Sequence, residues 1–210
     1  MTEKYKKIII RTTFMGKKYP ISNNDLQQDS YTLGRKIIES CFRPDFMVAL
    51  WRGGTAPGII IHELLKYCGI TTDHISVRTG RYQGPDQPAE VVTIAGLEYI
   101  VDHANAEDSL LIVDDVFDSG LSIQKVIETL QSRSRKNTPQ DIRVATLHYK
   151  PDRNKTNLVP DFYVHEIEAD KWIYYPHELE GLSLKEIRAF KGENIAQIVQ
   201  AAQESVKKTT

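Results

Sequence analysis

Cysteine is scarce. The 210 residues hold two, Cys41 and Cys68, with no CxxC pair and no Cys/His spacing of a metal site. A disulfide scaffold is thereby excluded. Each cysteine sits beside apolar residues near the end of a predicted helix and reads as a buried free thiol. An excess of one charge is also missing: 27 Lys and Arg against 28 Asp and Glu leave a net charge of −1. Nucleic-acid binders draw affinity from neutralising phosphates and carry a clear basic surplus, so no nucleic-acid partner is expected. The basic tracts Lys4–Lys7 with Lys17–Lys18, Arg133–Lys136 and Lys207–Lys208 are short and read as solvated surface. No apolar run approaches a membrane span, and MTEKYKK lacks an apolar signal core. A cytoplasmic, reduced chain without a membrane partner is the expectation. Internal repeats and low-complexity segments are absent as well.

What is present, 40% hydrophobic and 26% charged residues, suits one domain with a full core. KKIIIRTT and KKYPIS predict two extended pieces around a turn at Gly16. Ser22 and Asp25 form a capping-box pattern opening a helix with Leu26, Leu33, Ile37 and Ile38 on its apolar face. DFMVALW reads as a buried strand ending at Arg52-Gly53-Gly54, followed by a helix with Ile59, Ile60, Leu64 and Leu65 inward. Further strands are predicted at 74–77, 91–94, 109–113, 141–149 and 161–167, with a helix from Ile123 to Leu130. The polar stretch 78–90 reads as a mobile surface loop. Residues 183–208 predict one amphipathic helix, with Ile187, Phe190, Ile195, Ile198 and Val199 as candidate buried positions. Strands alternating with helices imply an α/β fold: a parallel central sheet flanked by helices, with ligands at the carboxyl ends of its strands.

One such strand end concentrates chemistry. In LLIVDDVFDSGLS, residues 110–122, three acids (Asp114, Asp115, Asp118) directly precede Ser119, Gly120 and Ser122 at a helix start. Serine and glycine there offer hydroxyls and backbone N–H groups at the positive end of the helix dipole, which suits a phosphate. Carboxylates repel phosphate unless they serve another part of the same ligand, and adjacent sugar hydroxyls are their natural partners. The pattern therefore describes a ribose 5-phosphate.

This segment resembles the phosphoribosyl-pyrophosphate signature of the type I phosphoribosyltransferases, with Ser119 where threonine is commoner. The resemblance implies that fold: a core at about 22–165, a small hood from about 1–21 and 166–182, and a C-terminal helix at about 183–208, all in one domain spanning 1–210. It assigns the ribose hydroxyls to Asp114 and Asp115, and the 5-phosphate to Ser119, Gly120, Leu121 and Ser122. ALWRGGTAPG is similar to the family's pyrophosphate loop, placing Arg52 and Gly53 on the pyrophosphate; Arg78 and Tyr82, in the mobile segment, are candidates to reach the same group. The family often carries a cis non-proline peptide in this loop, here Trp51–Arg52.

Three likenesses point to a 6-oxopurine as the second substrate. Lys150 in LHYKP matches the lysine aimed at O6 of the base. Trp172 and Ile173 in KWIYYPHE match the residues that stack on the purine and meet its 2-position. Asp118 matches the acid beside N7, the expected catalytic residue. Magnesium is the implied cofactor, with Asp114, Asp115 and Glu178 as metal residues; His177 departs from a common tryptophan, and glutamate replaces aspartate at 178. The expected enzyme is a hypoxanthine/xanthine–guanine phosphoribosyltransferase of purine salvage, using phosphoribosyl pyrophosphate and a purine base, in a homodimer or homotetramer. A pyrimidine or orotate transferase is the alternative, as is a non-catalytic regulator that senses phosphoribosyl pyrophosphate.

Overall fold

Strand β5 (Ser109–Phe117) shows how this chain builds its core. Its side chains alternate between the two faces of the sheet, so a continuous apolar run feeds two hydrophobic layers at once. Leu111 and Val113 join one cluster with Leu33, Ile37, Ile61 and Leu65, whereas Leu110 and Ile112 join another with Val48, Ile100, Val126 and Leu130. Helices α1 (Asn23–Glu39) and α2 (Thr55–Tyr67) cover the first face; α3 (Glu98–His103) and α4 (Leu121–Ser134) cover the second. The computed structural model describes residues 17–82 and 91–208. The expected strand at KKIIIRTT, the turn at Gly16 and the 83–90 part of the expected loop lie outside the described residues.

Among the described residues, β5 is flanked in the main sheet by β2 (Phe46–Trp51) and β6 (Asp141–Tyr149). With β3 (Asp73–Tyr82), β4 (Val91–Ala95) and β7 (Phe162–Glu166), the order is β4-β3-β2-β5-β6-β7. Every pairing is parallel except β3 with β4. The expected α/β architecture is therefore present, with one antiparallel edge strand. A separate parallel pair joins β1 (Lys17–Pro20) to β8 (Lys171–Tyr174), segments far apart in the chain.

Several boundaries differ from the sequence reading. Strand β3 continues through Tyr82 because Arg78–Tyr82 find partners in Val91–Ala95, so that part of the expected loop is strand. Strand β5 runs to Phe117, not Val113, because its ladder with β6 continues through Asp114↔Thr146 and Val116↔His148. Ile59 is 61% exposed and Ile61 is buried instead. Positions two apart lie about 200° apart on a helix, so only one of them can face the sheet. The single C-terminal helix is two, α5 (Leu184–Lys191) and α6 (Glu193–Lys208), separated at Gly192 with φ 92°. In them Ile187 and Ala196 are buried, while Ile195 and Ile198 face outward. Both cysteines are exposed, not buried. Cys68 is the C-cap of α2, and Cys41 follows the C-cap of α1 with φ 63°; helix ends face solvent even where neighbouring turns are core.

Candidate active site

The carboxyl end of β5 passes into α4 through Asp118, Ser119 and Gly120. Gly120 adopts φ 74°, and a Cβ there would lie 2.6 Å from Thr156 Oγ1 and 2.8 Å from the Phe117 ring. Only glycine makes this turn without strain. As N-cap of α4 it supplies no side-chain hydrogen bond, so the first amides of the helix are left for an incoming anion. A cavity of about 180 Å³ opens here, lined by Asp114, Asp115, Asp118, Ser119, Gly120 and Ser122 among others. Leu121, grouped with them in the sequence, does not line it and is part-exposed.

A second cavity of about 190 Å³ shares Asp115, Val116 and Asp118 with the first and adds Lys150, Trp172, Ile173, Tyr175 and Glu178. Lys150 follows β6 and is 3% exposed. Its Nζ donates to Asp118 Oδ2 at 3.2 Å and to the Lys171 carbonyl at 2.7 Å. Arg153 Nε meets the other oxygen, Asp118 Oδ1, at 2.6 Å. Two cations thus hold one carboxylate in a fixed orientation. Trp172 is half-exposed, its ring 6.3 Å from that of Tyr174, and Ile173 is buried.

The paired acids are charged groups in a buried place. Burial pushes Asp114 up to about 7, despite hydrogen bonds from the Asp115 and Gly54 backbone. Burial raises Asp115 well above the usual carboxylate range, with the charges of Asp114 and Glu178 adding to it. His177 stands beside Asp115, its Nε2 3.7 Å from Oδ2, and burial pushes that imidazole down. Glu178 accepts from the Tyr175 amide at 3.1 Å. Asp114, Asp115 and Glu178 do not form a ready three-ligand cluster: among the described residues, that proximity occurs only at Asp29, His148 and His165. Two acids without a lysine or arginine partner among the described residues suit magnesium shared with ligand oxygens, since this ion is commonly bound by one or two carboxylates plus substrate phosphates.

A pH effect follows from these shifts. Asp114 ionises near 3.8 unfolded and about 7 folded, so between these values the folded chain binds more protons. Stability therefore falls as pH rises through that window. Asp114→Asn should raise the melting temperature at pH 8 by about 2–4 °C per kcal/mol of relieved desolvation cost. The gain should shrink toward pH 5, where folded Asp114 already carries its proton; melting curves at both pH values check this.

The loop after β2 explains its glycines. A Cβ on Gly53 would fall 2.3 Å from the Asp115 carboxylate, and one on Gly54 would fall 2.1 Å from the Val113 carbonyl. Gly54 meets backbone that cannot rotate aside, so Gly54→Ala should cost about 1–3 kcal/mol or more. Thermal unfolding reads this directly, and an unchanged midpoint would refute the tight fit. The Trp51–Arg52 peptide is cis. Arg52 is exposed, 3.6 Å from Glu180 Oε2, and Arg78 stands in register with Trp51. Arg52, Gly53 and Arg78 border neither cavity, although Gly53 lies directly on the Asp115 carboxylate. The side chain of Tyr82 lies outside the described residues.

Three residues were not singled out from the sequence. Arg153 stands three positions after Lys150, at the end of a 3-10 turn. Tyr175, wholly buried, donates its hydroxyl to the Asp115 carbonyl at 2.7 Å, and His148 Nδ1 lies 2.8 Å from the same hydroxyl. Nothing in their local sequence indicates this chain of contacts.

Comparison with known proteins agrees with this geometry. The xanthine-guanine phosphoribosyltransferase of Cereibacter sphaeroides is 28% identical over 148 residues, 70% of this chain and 75% of that protein. The enzyme of the same name from Desulfotalea psychrophila is 27% identical over 162 residues, 77% of this chain and 87% of that one. The crystal structure of a purine phosphoribosyltransferase from Pyrococcus horikoshii superposes with a TM-score of 0.61 at 27% identity, covering 79% of this chain and 97% of that one. The model of the phosphoribosyl transferase domain matches residues 23–181, from the start of α1 past β8, so both cavities fall within it. This chain belongs to the phosphoribosyl transferase family.

Proposed function

We propose that this chain is a purine-salvage enzyme. It transfers the phosphoribosyl group of phosphoribosyl pyrophosphate to a 6-oxopurine (hypoxanthine, guanine or xanthine), releasing pyrophosphate. One observation carries the reading: two cavities share Asp115 and Asp118, one ending on a helix N-terminus and the other on Lys150, Trp172 and Ile173. A nucleoside monophosphate has that layout, with its anion at one end, its diol in the middle and its flat base at the other.

Each residue then has a task. The amides of Ser119 to Ser122 hold the 5-phosphate, and Asp114 and Asp115 accept from the ribose hydroxyls. Fixing the sugar in this way brings its anomeric carbon into line with N9 of the base. Lys150 donates to O6, Trp172 stacks on the ring, and the backbone at Ile173 meets the 2-position. Asp118 accepts and returns the proton at N7. Arg52 and Arg78 neutralise the departing pyrophosphate, with Gly53 allowing its close approach. Asp114 and Asp115, with Glu178 nearby, would hold magnesium together with substrate oxygens, and the ion would supply further neutralisation of the leaving group. The β1–β8 sheet serves as the hood over the base.

The same reading expects a cytoplasmic homodimer or homotetramer. No helix of the described residues is long and apolar enough to cross a membrane. The test is incubation with phosphoribosyl pyrophosphate, magnesium and, separately, hypoxanthine, guanine, xanthine, adenine or orotate, following nucleotide formation. Turnover of 6-oxopurines is expected. Turnover of orotate alone would move the enzyme to the pyrimidine class, and conversion of no base would sink the proposal.

A further inference from the structure

Asp29 of α1, His148 of β6 and His165 of β7 converge although 136 positions separate the first from the last (165 less 29). A carboxylate oxygen of Asp29 and one ring nitrogen from each histidine all lie within 4.8 Å of one another. The two histidines stand opposite each other in the parallel β6–β7 register, their rings stacked at 5.1 Å. His165 Nε2 is 3.0 Å from Asp29 Oδ2. Half of the His165 side chain is exposed, which leaves the group an opening to solvent.

The buried partner has a defined tautomer. Tyr175 has one hydroxyl proton, and it goes to the Asp115 carbonyl, which can only accept. The Tyr175 oxygen must therefore accept from His148 Nδ1–H at 2.8 Å. In a neutral ring this leaves the lone pair on Nε2. Burial, with the charges of His165 and Lys150, pushes His148 down to about 4, so the ring is neutral near pH 7. A histidine whose second nitrogen donates to a fixed acceptor is arranged as metal-binding histidines are.

We propose that Asp29, His148 and His165 form a site for a borderline divalent transition cation, with zinc as its natural occupant and water completing the shell. Two imidazoles and one carboxylate are a zinc-type donor set, whereas magnesium prefers oxygen alone. This site is separate from the proposed magnesium residues and does not depend on the transferase reading. Its buried histidine is nevertheless linked through Tyr175 to the Asp115 backbone.

Calorimetric titration of the full chain with zinc chloride, in excess magnesium to occupy oxygen-only sites, tests the site. One equivalent should bind at low micromolar concentration or tighter. His165→Gln and Asp29→Asn should each weaken binding by at least roughly tenfold, the lower end of what even an outer partner of a metal ligand costs. Cobalt(II) added to the wild-type chain should produce the visible absorption of a four- or five-coordinate nitrogen–oxygen site, a readout that needs no variant to fold. Absence of saturable zinc uptake, uptake unchanged in both variants, or a cobalt spectrum identical to the hydrated ion would each overturn the proposal.

Discussion

Asp118→Asn is expected to lower turnover by roughly 10²–10⁴-fold, the usual contribution of a positioned acid or base. Affinity for a purine nucleotide should change by only a few-fold. Asparagine retains the shape of aspartate and an oxygen able to accept from Lys150 or Arg153, which contact the two carboxylate oxygens at 3.2 and 2.6 Å. The cavity walls should therefore survive the change. What is lost is the ability to take a proton from N7, a task of the reaction rather than of binding. Steady-state rates beside a nucleotide titration separate the two effects. Undiminished turnover would remove Asp118 from proton transfer.

Lys150→Met should lower kcat/KM for 6-oxopurines by roughly ten-fold to somewhat over a hundred-fold. A hydrogen bond to a charged group contributes about 1.5–3 kcal/mol, and each 1.4 kcal/mol is about one decade. Methionine fills much of the same volume, so the change removes the charge more than the packing. The loss should be smaller for adenine, because a 6-amino group offers the ammonium nothing to bond and selectivity between the bases should narrow. The Lys171 carbonyl also loses its 2.7 Å donor, so some loss of stability is expected. Measuring kcat/KM for hypoxanthine and adenine on the same folded variant resolves the point. An equal fall for both bases would show that Lys150 supports structure and does not select the base.

Much of the architecture was legible because it depends on local rules. The Ser22–Asp25 box caps α1, and the apolar run Leu110–Val113 is buried within β5. The placement of Asp114, Asp115, Asp118 and Ser119 at one cavity was legible for the same reason: strand, turn and helix are consecutive there. The misses share a cause too. Ile59 and Ile61 are equally apolar, and only the position of the sheet selects Ile61 for burial. Ile195 and Ile198 lie in an amphipathic pattern, but Gly192 turns the chain after α5 and leaves them outward. Cys41 and Cys68 lie among core residues in sequence, yet helix ends project to solvent. Strand β5 outlasts its apolar run because partners on β6, not its own composition, continue the ladder.

Chain-neighbour chemistry alone determined that a strand ending in acids meets a helix opening with serine and glycine, because backbone dihedrals and short spacings set that geometry without help from distant residues. Sheet register and layer packing decided everything that joins remote segments. Lys150 and Arg153 on one carboxylate, Tyr175 beneath Asp115, and His148 facing His165 and Asp29 all arise this way. A one-residue slip in a strand would turn each side chain to the opposite face, so these meetings are properties of the folded whole.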